Sequence, residues 1–285
     1  MYTLNLRGRL FVIDRPQVMG ILNITPDSFF AGSRTPSVQE SVERAGRMLE
    51  QGAAILDIGG QSTRPGSTRI DAAEEAARVL PVIEAIVRAF PAAVLSIDTY
   101  HASVAEAAVK VGASIVNDIS GGHMDTAMLP TVGGLGVPYV CMHMQGVPET
   151  MQETPEYAEV TRDVLDYFIR RVADCRAAGI RDIILDPGFG FGKTMSHNFE
   201  LFRNMEALHM AGLPLLIGWS RKSTIWKTLG ISAAESLNGT TVMHTLAVIR
   251  GAAILRVHDV REAVEVVNLL EAAGEWTGFG KVYHP

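Results

Sequence analysis

The chain has 285 residues, of which 47% are hydrophobic and 20% are charged. That composition supplies a sizeable core and excludes a disordered chain, which has too little apolar surface to offset its ordering entropy. The net charge of −6 provides no broad basic surface, so we expect no nucleic-acid partner.

The two cysteines and the distribution of apolar residues indicate a cellular location. Cys141 and Cys175 lack the close spacing of a zinc or redox pair, which suits a reducing cytoplasm. Residues 1–16 lack the apolar stretch of a signal peptide, and no segment approaches the roughly 20 apolar residues of a membrane span. We therefore expect a cytoplasmic protein with no membrane partner.

Residues 2–13 are predicted to form a small hairpin, with Arg7, Gly8 and Arg9 as its turn. After it, short apolar runs alternate with longer segments of helical period, which is typical of parallel strands joined by crossover helices. The predicted strands are residues 18–23, 54–59, 93–98, 114–118, 138–143, 182–186, 215–219 and 253–257. The predicted helices are residues 38–51, 72–90, 103–111, 125–133, 156–178, 198–210, 234–250 and 260–273.

Eight strand and helix units in about 250 residues have the size and rhythm of a closed (β/α)8 barrel, the TIM barrel. No linker rich in proline, glycine or serine interrupts them. We therefore predict an α/β fold, a single TIM-barrel domain over residues 1–285 with a short N-terminal β-hairpin that covers the bottom of the barrel.

Several helix starts carry sequence signals. A serine or aspartate stands three residues before a glutamate, the spacing of a capping box, in three places. Proline suits the first turn of a helix, and Pro155 stands there in the fifth predicted helix. The three capping boxes are Ser37 with Glu40, Asp71 with Glu74, and Ser232 with Glu235.

Polar side chains follow the predicted strands, where a barrel of this kind places its active site. Any one of them could instead cap the following helix, but eight polar strand ends together favour a site. They are Asn23, Asp57, Asp98, Asn117 with Asp118, His143, Asp186, Ser220 with Arg221 and Lys222, and Arg256 with His258.

These residues divide the predicted site into two halves. One half offers acceptors for a heterocycle that carries several N–H donors, from Asp57, Asp98, Asn117 and Asp186. The other half offers positive charge for an anion such as a diphosphate, from Arg64, Lys222, Arg256 and His258. Asn23 could hold a hard cation such as Mg²⁺ through oxygen. Residues 25–34 and 59–69 are candidate lid loops over this site.

Two motif matches fail. Residues 188–194 (GFGFGKT) look like a phosphate-binding loop, but the glycine expected five positions before Gly192 is Pro187. We expect a tight rim loop there that exposes Phe191 as a flat wall for an aromatic substrate. His143 has no second ligand at metal spacing and is predicted to line the pocket.

Seven motifs, in this order, resemble those of the dihydropteroate synthase family and together span nearly the whole chain. They are residues 20–29 (GILNITPDSF), 57–66 (DIGGQSTRPG), 96–99 (SIDT), 117–121 (NDISG), 186–193 (DPGFGFGK), 220–223 (SRKS) and 256–259 (RVHD). The resemblance implies the same barrel. It also implies condensation of 6-hydroxymethyl-7,8-dihydropterin diphosphate with p-aminobenzoate to give 7,8-dihydropteroate and diphosphate.

The resemblance further implies a role for each matching residue. Pterin-binding roles fall on Asp98, Asn117, Asp186, Lys222, Met142, Gly218 and Arg256, with Asp57 beneath the pocket. Diphosphate-binding roles fall on Asn23, Thr63, Arg64, Arg256 and His258, with Mg²⁺ on Asn23. The p-aminobenzoate pocket falls on Ser62, Thr63, Arg64, Pro65, Phe191, Lys222 and Ser223. The expected catalytic residues are Asp27, Lys222, Arg64 and Asp98.

The resemblance also implies a mechanism, an inhibitor class and an assembly. If the bond to diphosphate breaks first, a pterin-stabilised methylene cation forms, and Asp27 offers a carboxylate near it. Sulfonamides would compete with p-aminobenzoate, and the protein would be a homodimer. Two departures are Gln61, where the family commonly has glutamate, and Arg34 in a first loop that lacks a further carboxylate.

Two other interpretations remain open at this point. A pterin-binding carrier module, as in corrinoid methyltransferases, would share the barrel and the ring-binding Asp and Asn but would need no diphosphate site. An inactive scaffold would have lost its charged rim. The motifs 62–65, 220–223 and 256–258 serve an anion or an aromatic acid and favour the synthase.

Overall fold

Eight parallel strands follow one another around a barrel in the computed structural model, which describes residues 1–25, 37–61, 69–147, 150–151, 155–276 and 278–279. Strands that are neighbours in the chain are neighbours in the barrel from Gln17–Asn23 to Ile183–Asp186, and the last strand, Ile254–Val257, joins the short strand Leu216–Ile217 to the first. A single bridge between Leu185 and Leu215 completes the ring. The predicted TIM barrel is confirmed.

Each strand is short. A separate antiparallel pair is formed by β1 (Tyr2–Leu6) and β2 (Arg9–Ile13). The barrel strands are β3 (Gln17–Asn23), β4 (Ile55–Gly59), β5 (Leu95–Asp98), β6 (Ile115–Asp118), β7 (Tyr139–Met142), β8 (Ile183–Asp186), β9 (Leu216–Ile217) and β10 (Ile254–Val257).

Helices separate the strands and cover the outside of the barrel. They are α1 (Val38–Glu50), α2 (Ala72–Ala89), α3 (Ala102–Val111), α4 (Met128–Leu135), α5 (Val160–Ala177), α6 (Met195–Arg203), α7 (Ser223–Leu229), α8 (Leu237–Ile249) and α9 (Val260–Ala272). A 3₁₀ helix, Met205–Ala211, follows α6. None of the helices in the described part of the chain is long and apolar enough to span a membrane.

The hairpin closes the lower end of the barrel, as predicted. Leu4, Leu6 and Ile13 pack against the first inward side chains of the strands, such as Met19 and Ile55. Burial of each such side chain stabilises the fold by about 1.5–3 kcal/mol. Among the described residues the lower end of the barrel is therefore sealed by apolar side chains, which leaves the upper end to receive a ligand.

The backbone conformation of residues 7 and 8 agrees with the turn predicted there. Arg7 and Gly8 both have positive φ, 54° and 90°, the conformation of a two-residue turn between antiparallel strands. The Gly8 N–H donates to Asn5 Oδ1 at 2.7 Å.

The capping predictions are only partly right. Ser37 and Glu40 form a complete capping box at α1, whereas Asp71 accepts the Glu74 N–H at α2 without the reciprocal bond. Ser232 and Glu235 bond to each other as predicted, but they stabilise a turn, because α8 begins only after Ser236.

Three predicted helices begin or end elsewhere. Pro155 lies outside α5, which begins at Val160 because Glu159 accepts the N–H groups of its first turn. The helix predicted over 198–210 begins three residues earlier, at Met195, and gives way to the 3₁₀ helix at Asn204. The helix predicted over 125–133 is α4, which begins at Met128 and continues beyond Gly133 to Leu135.

Gly133 lies within α4 because a side chain would not fit there. A Cβ on Gly133 would lie 1.8 Å from the carbonyl oxygen of Ala178. The glycine that was taken to end the helix therefore permits close packing against the end of α5.

Candidate active site

Strand register places a ring of polar side chains at the upper end of the barrel. Asn23 pairs with Gly59, Gly59 with Asp98, and Asp98 with Asn117, so these residues lie side by side on four consecutive strands. Side chains alternate along a strand, and these positions share the inward direction of the apolar residues that line the lower barrel. The sequence prediction that the strand ends converge is confirmed for these residues.

Asp118 belongs to a different set. It follows Asn117 in β6 and so faces the helices, where it accepts the N–H groups of Ser120 and Gly122, both at 2.7 Å. The hydroxyl of Tyr139 donates to it as well, at 2.7 Å. Asp118 therefore stabilises the loop after β6 and does not face the barrel mouth.

Asp57 organises the floor of the site. It is fully buried, and its Oδ2 accepts bonds from Arg256 Nε at 2.6 Å and from Asn117 Nδ2 at 2.9 Å. Arg256 also donates through Nη2 to Asp98 Oδ2 at 2.6 Å. The four side chains form one buried network, in which a guanidinium lies between two carboxylates.

This network links both halves of the predicted site. Arg256 is predicted to contact both the pterin and the diphosphate, and in the structure Asp57 and Asp98 fix the position of its guanidinium. The strand-end pattern singled out Asp57 only as an acceptor beneath the pocket. Its role as the shared anchor of Arg256 and Asn117 could not be read from the sequence, because its partners lie 60 and 199 residues away.

Buried carboxyl groups on this side have altered proton affinity. Burial raises the pKa of Asp98 to about 7, against the lowering effect of Arg256. Burial also raises the pKa of Glu75, a residue of α2, to about 7. Thr99 directly follows Asp98 in the chain, and its hydroxyl donates to Glu75 Oε2 at 2.7 Å. No sequence signal marked Glu75, which looks like an ordinary charged residue in a first helical turn.

Asp186, Lys222 and Phe191 form the opposite wall. Asp186 is buried next to Met142 in register, and its Oδ1 accepts the Gly188 N–H at 2.8 Å. Burial raises the pKa of Asp186, and Lys222 opposes that shift. Lys222 Nζ donates to the Phe189 carbonyl and lies 4.3 Å from the centre of the Phe191 ring. These contacts bring together residues predicted from two separate motifs.

The remaining pocket surface is apolar. Met142 packs with Tyr100 and Ile119, and the Phe191 ring joins this cluster. Gly218 follows β9, and no atom of the described residues lies within 4 Å of the point where its Cβ would be. An apolar cluster beside carboxylate and amide oxygens suits a flat heterocycle with polar edges.

His258 belongs to the half of the predicted site that would bind an anion, and its environment favours the neutral imidazole. Its Nδ1 lies 3.0 Å from Ser220 Oγ, and Ser220 Oγ accepts the His258 backbone N–H at 3.1 Å. Burial, and then the charge of Arg256, lower the pKa of His258 to about 4. This low pKa favours a neutral imidazole in the free protein, so of the predicted positive charge and donor we expect only the donor. With the Ser220 proton directed at Nδ1, its Nε2 is left as a neutral donor.

The loop after β9 has a strained residue at its centre. Arg221 has a φ of 54°, and its guanidinium makes two bonds of 2.8 Å to the carboxylate of Asp259. This bidentate pair ties the end of β9 to the end of β10. Ser223 is exposed as the first residue of α7, a short helix that the sequence analysis missed. The helix predicted over 234–250 corresponds to α8 and does not include α7.

Five predicted site residues lie outside the described residues. They are Asp27, Ser62, Thr63, Arg64 and Pro65. Most of the two candidate lid loops and the departure at Arg34 fall in the same ranges. Gln61 is described, and its Oε1 accepts the Ile70 N–H at 2.9 Å, so it joins the two ends of the second loop.

The oxygen atoms around Asn23 could contribute to a magnesium site. A Cβ on Gly59 would lie 3.7 Å from Asn23 Oδ1 and 3.5 Å from Asp98 Oδ2, so glycine leaves a gap between two oxygens. Nowhere in the described ranges do three His, Cys, Asp or Glu side chains cluster as metal ligands. These residues fit Mg²⁺ only as an ion bound mainly by phosphate oxygens and water, which is a common mode for that cation.

Comparison with known proteins agrees with this geometry. Residues 19–258 match the family described as "Pterin binding enzyme". Dihydropteroate synthase of Escherichia coli strain K12 is 44% identical over 268 residues, covering 93% of this chain and 94% of that protein.

Solved structures show the same relationship. A dihydropteroate synthase of Yersinia pestis with a sulfonamide drug complex superposes with a TM-score of 0.91 at 41% identity, over 96% of this chain and 99% of that one. The enzyme of Xanthomonas albilineans in complex with 7,8-dihydropteroate gives a TM-score of 0.86 at 37% identity, over the same shares of both chains. The chain belongs to the pterin-binding enzymes and, among them, to the dihydropteroate synthase family.

Proposed function

We propose that the protein joins 6-hydroxymethyl-7,8-dihydropterin diphosphate to p-aminobenzoate, forming 7,8-dihydropteroate and releasing diphosphate. The observation that supports this proposal is the polar network at the upper end of the barrel, in which the Arg256 guanidinium lies between the carboxylates of Asp57 and Asp98. The reaction needs both signs of charge in one site, because a heterocycle and a departing anion must be held on opposite sides of one carbon atom.

The acceptor half recognises the pterin ring. Asp98, Asn117 and Asp186 offer oxygens at three points around the mouth, and the edge of a pterin carries several N–H donors. Met142 and the open face at Gly218 lie against the flat surfaces of the ring. Because Asp186 and Asn117 are almost fully buried, the loss of either partner leaves a polar group unsatisfied, which makes recognition selective.

The donor half holds the diphosphate. Arg256 keeps its positive charge, since its pKa is raised by Asp57 and Asp98 despite burial. His258 donates from Nε2, and Arg64 adds a second guanidinium from the loop after β4. Mg²⁺, bound by diphosphate oxygens and Asn23, would neutralise the charge that develops on the leaving group.

In the bond-breaking step, negative charge develops on the diphosphate and positive charge on the pterin side. The C–O bond breaks, its electron pair leaves with the diphosphate, and the methylene carbon becomes a cation conjugated with the pterin ring. Asp98 supplies negative charge on the ring side of that carbon, and the family resemblance assigns a second carboxylate near the cation to Asp27. The lone pair of the p-aminobenzoate nitrogen then forms the C–N bond, and the nitrogen releases a proton to water.

The aromatic acid lies against the Phe191 ring. Lys222 is placed between that ring and Asp186, and burial lowers the pKa of Lys222 to about 8, so it is still largely protonated at neutral pH. Its ammonium can pair with the carboxylate of p-aminobenzoate or orient the ring. The loop residues Ser62, Thr63 and Pro65, together with Ser223, complete this pocket, and sulfonamides compete for it.

The assembly is a homodimer in the cytoplasm. Helices α7 and α8 present exposed apolar side chains, among them Leu229, Val242 and Ile249. Val242 and Ile249 are seven residues apart and so share one helix face. Both cysteines are buried and free, which suits a reducing compartment. Analytical ultracentrifugation at micromolar concentration should give twice the chain mass of 30.8 kDa.

The experiment that tests the function is an assay of the purified protein with pterin diphosphate and Mg²⁺, with and without p-aminobenzoate. Diphosphate release that depends on p-aminobenzoate, with 7,8-dihydropteroate identified by mass, is the expected result. Tight pterin binding without product would instead favour the carrier module and would contradict the donor half.

A further inference from the structure

The loop after β8 contains a buried lysine for which the reaction above has no use. Lys193 is only 2% exposed, and its Nζ has three close partners. It lies 2.9 Å from His143 Nδ1, 3.0 Å from the Gly188 carbonyl oxygen and 3.1 Å from the Phe191 carbonyl oxygen. The His143 carbonyl oxygen lies 3.4 Å away as a fourth partner, so groups of the protein itself surround the amino group.

This loop does not bind phosphate, although its sequence resembles a phosphate-binding loop. Such a loop presents free backbone N–H groups and a lysine that reaches the ligand. Here the Gly188 N–H donates to Asp186, and the Gly190 N–H donates to Asn198 Oδ1 at 2.7 Å. The lysine points into the protein and binds the loop itself.

The contacts of Lys193 converge on one functional residue. Phe191 is held through both of its backbone groups, since its N–H donates to the Gly188 carbonyl at 3.0 Å and its own carbonyl accepts from Lys193. Its neighbours Gly190 and Gly192 have φ of 81° and 56°, so its position depends on these bonds rather than on regular structure. The Phe191 ring is the wall against which the aromatic acid lies.

We propose that Lys193 is a positioning residue that fixes Phe191 from inside the barrel rim and thereby sets the affinity of the enzyme for the aromatic acid. The proposal rests on the function proposed above. His143, the residue directly after β7, takes part as the partner that keeps the lysine in place, and this replaces its predicted role as a pocket-lining residue.

Tyr157 holds the same loop by an independent bond. Its hydroxyl donates to the Gly192 carbonyl at 2.7 Å, next to the Phe191 and Lys193 pair. Tyr157→Phe removes this bond but leaves the lysine and its partners unchanged. It therefore provides a milder way to loosen the loop, should Lys193→Met fail to fold.

The test is a double-mutant cycle between Lys193→Met and Phe191→Ala, read as the KM of each substrate. We expect Lys193→Met to raise the KM for p-aminobenzoate about tenfold, as a coupled pair of contacts allows. The KM for pterin diphosphate should stay within about threefold of the original value, a split that general damage to the fold would not produce. In the Phe191→Ala background, Lys193→Met should add no more than about a twofold further increase. Lys227→Met, an exposed lysine of α7, is the matched control and should change neither constant.

Three results would overturn the proposal: additive effects of the two substitutions, an equal rise of both KM values, or no change at all in Lys193→Met. If Lys193→Met does not fold, Tyr157→Phe decides, with an expected increase of about threefold in the p-aminobenzoate KM alone. Failure of the unsubstituted protein to form product is a separate outcome, which contradicts the proposed function and not the role of the lysine.

Discussion

Replacement of Asp57 by asparagine tests how far the candidate site depends on the charge of this buried carboxylate. The change keeps the shape of the side chain and removes its charge. Asp57 Oδ2 receives two bonds, 2.6 Å from Arg256 and 2.9 Å from Asn117, in a fully buried position. The asparagine amide has one accepting oxygen and no charge, so it can take the position of Oδ2 but leaves the Arg256 guanidinium without this carboxylate.

The expected loss follows from the burial of this network. A hydrogen bond to a charged group contributes about 1.5–3 kcal/mol, and removing one partner of a buried ion pair costs about 3–5 kcal/mol. Because Arg256 keeps Asp98 as a second carboxylate, we expect the lower end of that range, about 3 kcal/mol in the free energy of unfolding. The misplaced Arg256 and Asn117 should lower kcat/KM about 100-fold, equivalent to about 2.7 kcal/mol.

Urea unfolding and steady-state kinetics measure these two effects. The matched control is Asp174→Asn, which breaks a carboxylate pair with Arg171 of similar length, 2.8 Å, with a carboxylate side chain that is 53% exposed. That change should cost no more than about 1 kcal/mol and leave activity intact. An Asp57→Asn protein within about 0.5 kcal/mol of the original stability, and fully active, would refute the reasoning.

Four further outcomes are expected. Asp186→Asn should weaken binding of pterin diphosphate while the fold persists, and undiminished activity would remove Asp186 from the site. Because kcat/KM reports groups of the free enzyme, it should rise with pH through about 7 as the Asp98 carboxylate forms, and Asp98→Asn should abolish that limb of the profile; a limb that persists would assign it elsewhere. Leu6→Ala, at the sealed lower end, should cost about 2–5 kcal/mol in the free energy of unfolding with kcat unchanged at 25 °C, whereas a change in kcat would show coupling between the two ends. Arg64→Ala should lower activity on the order of 10²–10³-fold, and an unchanged rate would reject its anion-binding role.

The barrel could be predicted because its signals are local and repeated. The strands are short apolar runs with a polar residue at or near the carboxyl end, and β8, from Ile183 to Asp186, shows this pattern in four residues. The inward direction of Asp98 and Asn117 then follows from alternation and register. Their convergence at one end follows from the parallel order of the strands.

The errors concern features that depend on distant contacts. α7 was missed because its seven residues include β-branched side chains and follow the end of β9 almost directly. The pKa of His258 is lowered by burial and by Arg256, and Lys193 is internal because its partners lie on the loop after β8 and at the end of β7. Neither environment can be read from residues close in sequence.

The division of the mouth into an acceptor half and a donor half is tested most directly with two separate ligands. Calorimetric titration of 6-hydroxymethylpterin, and of diphosphate with Mg²⁺, would be compared in the original protein, Asp186→Asn and His258→Ala. We predict that Asp186→Asn loses affinity for the pterin at least about tenfold and keeps its affinity for diphosphate, and that His258→Ala shows the reverse. Equal losses of both ligands in each variant, or pterin binding unaffected by Asp186→Asn, would contradict the account.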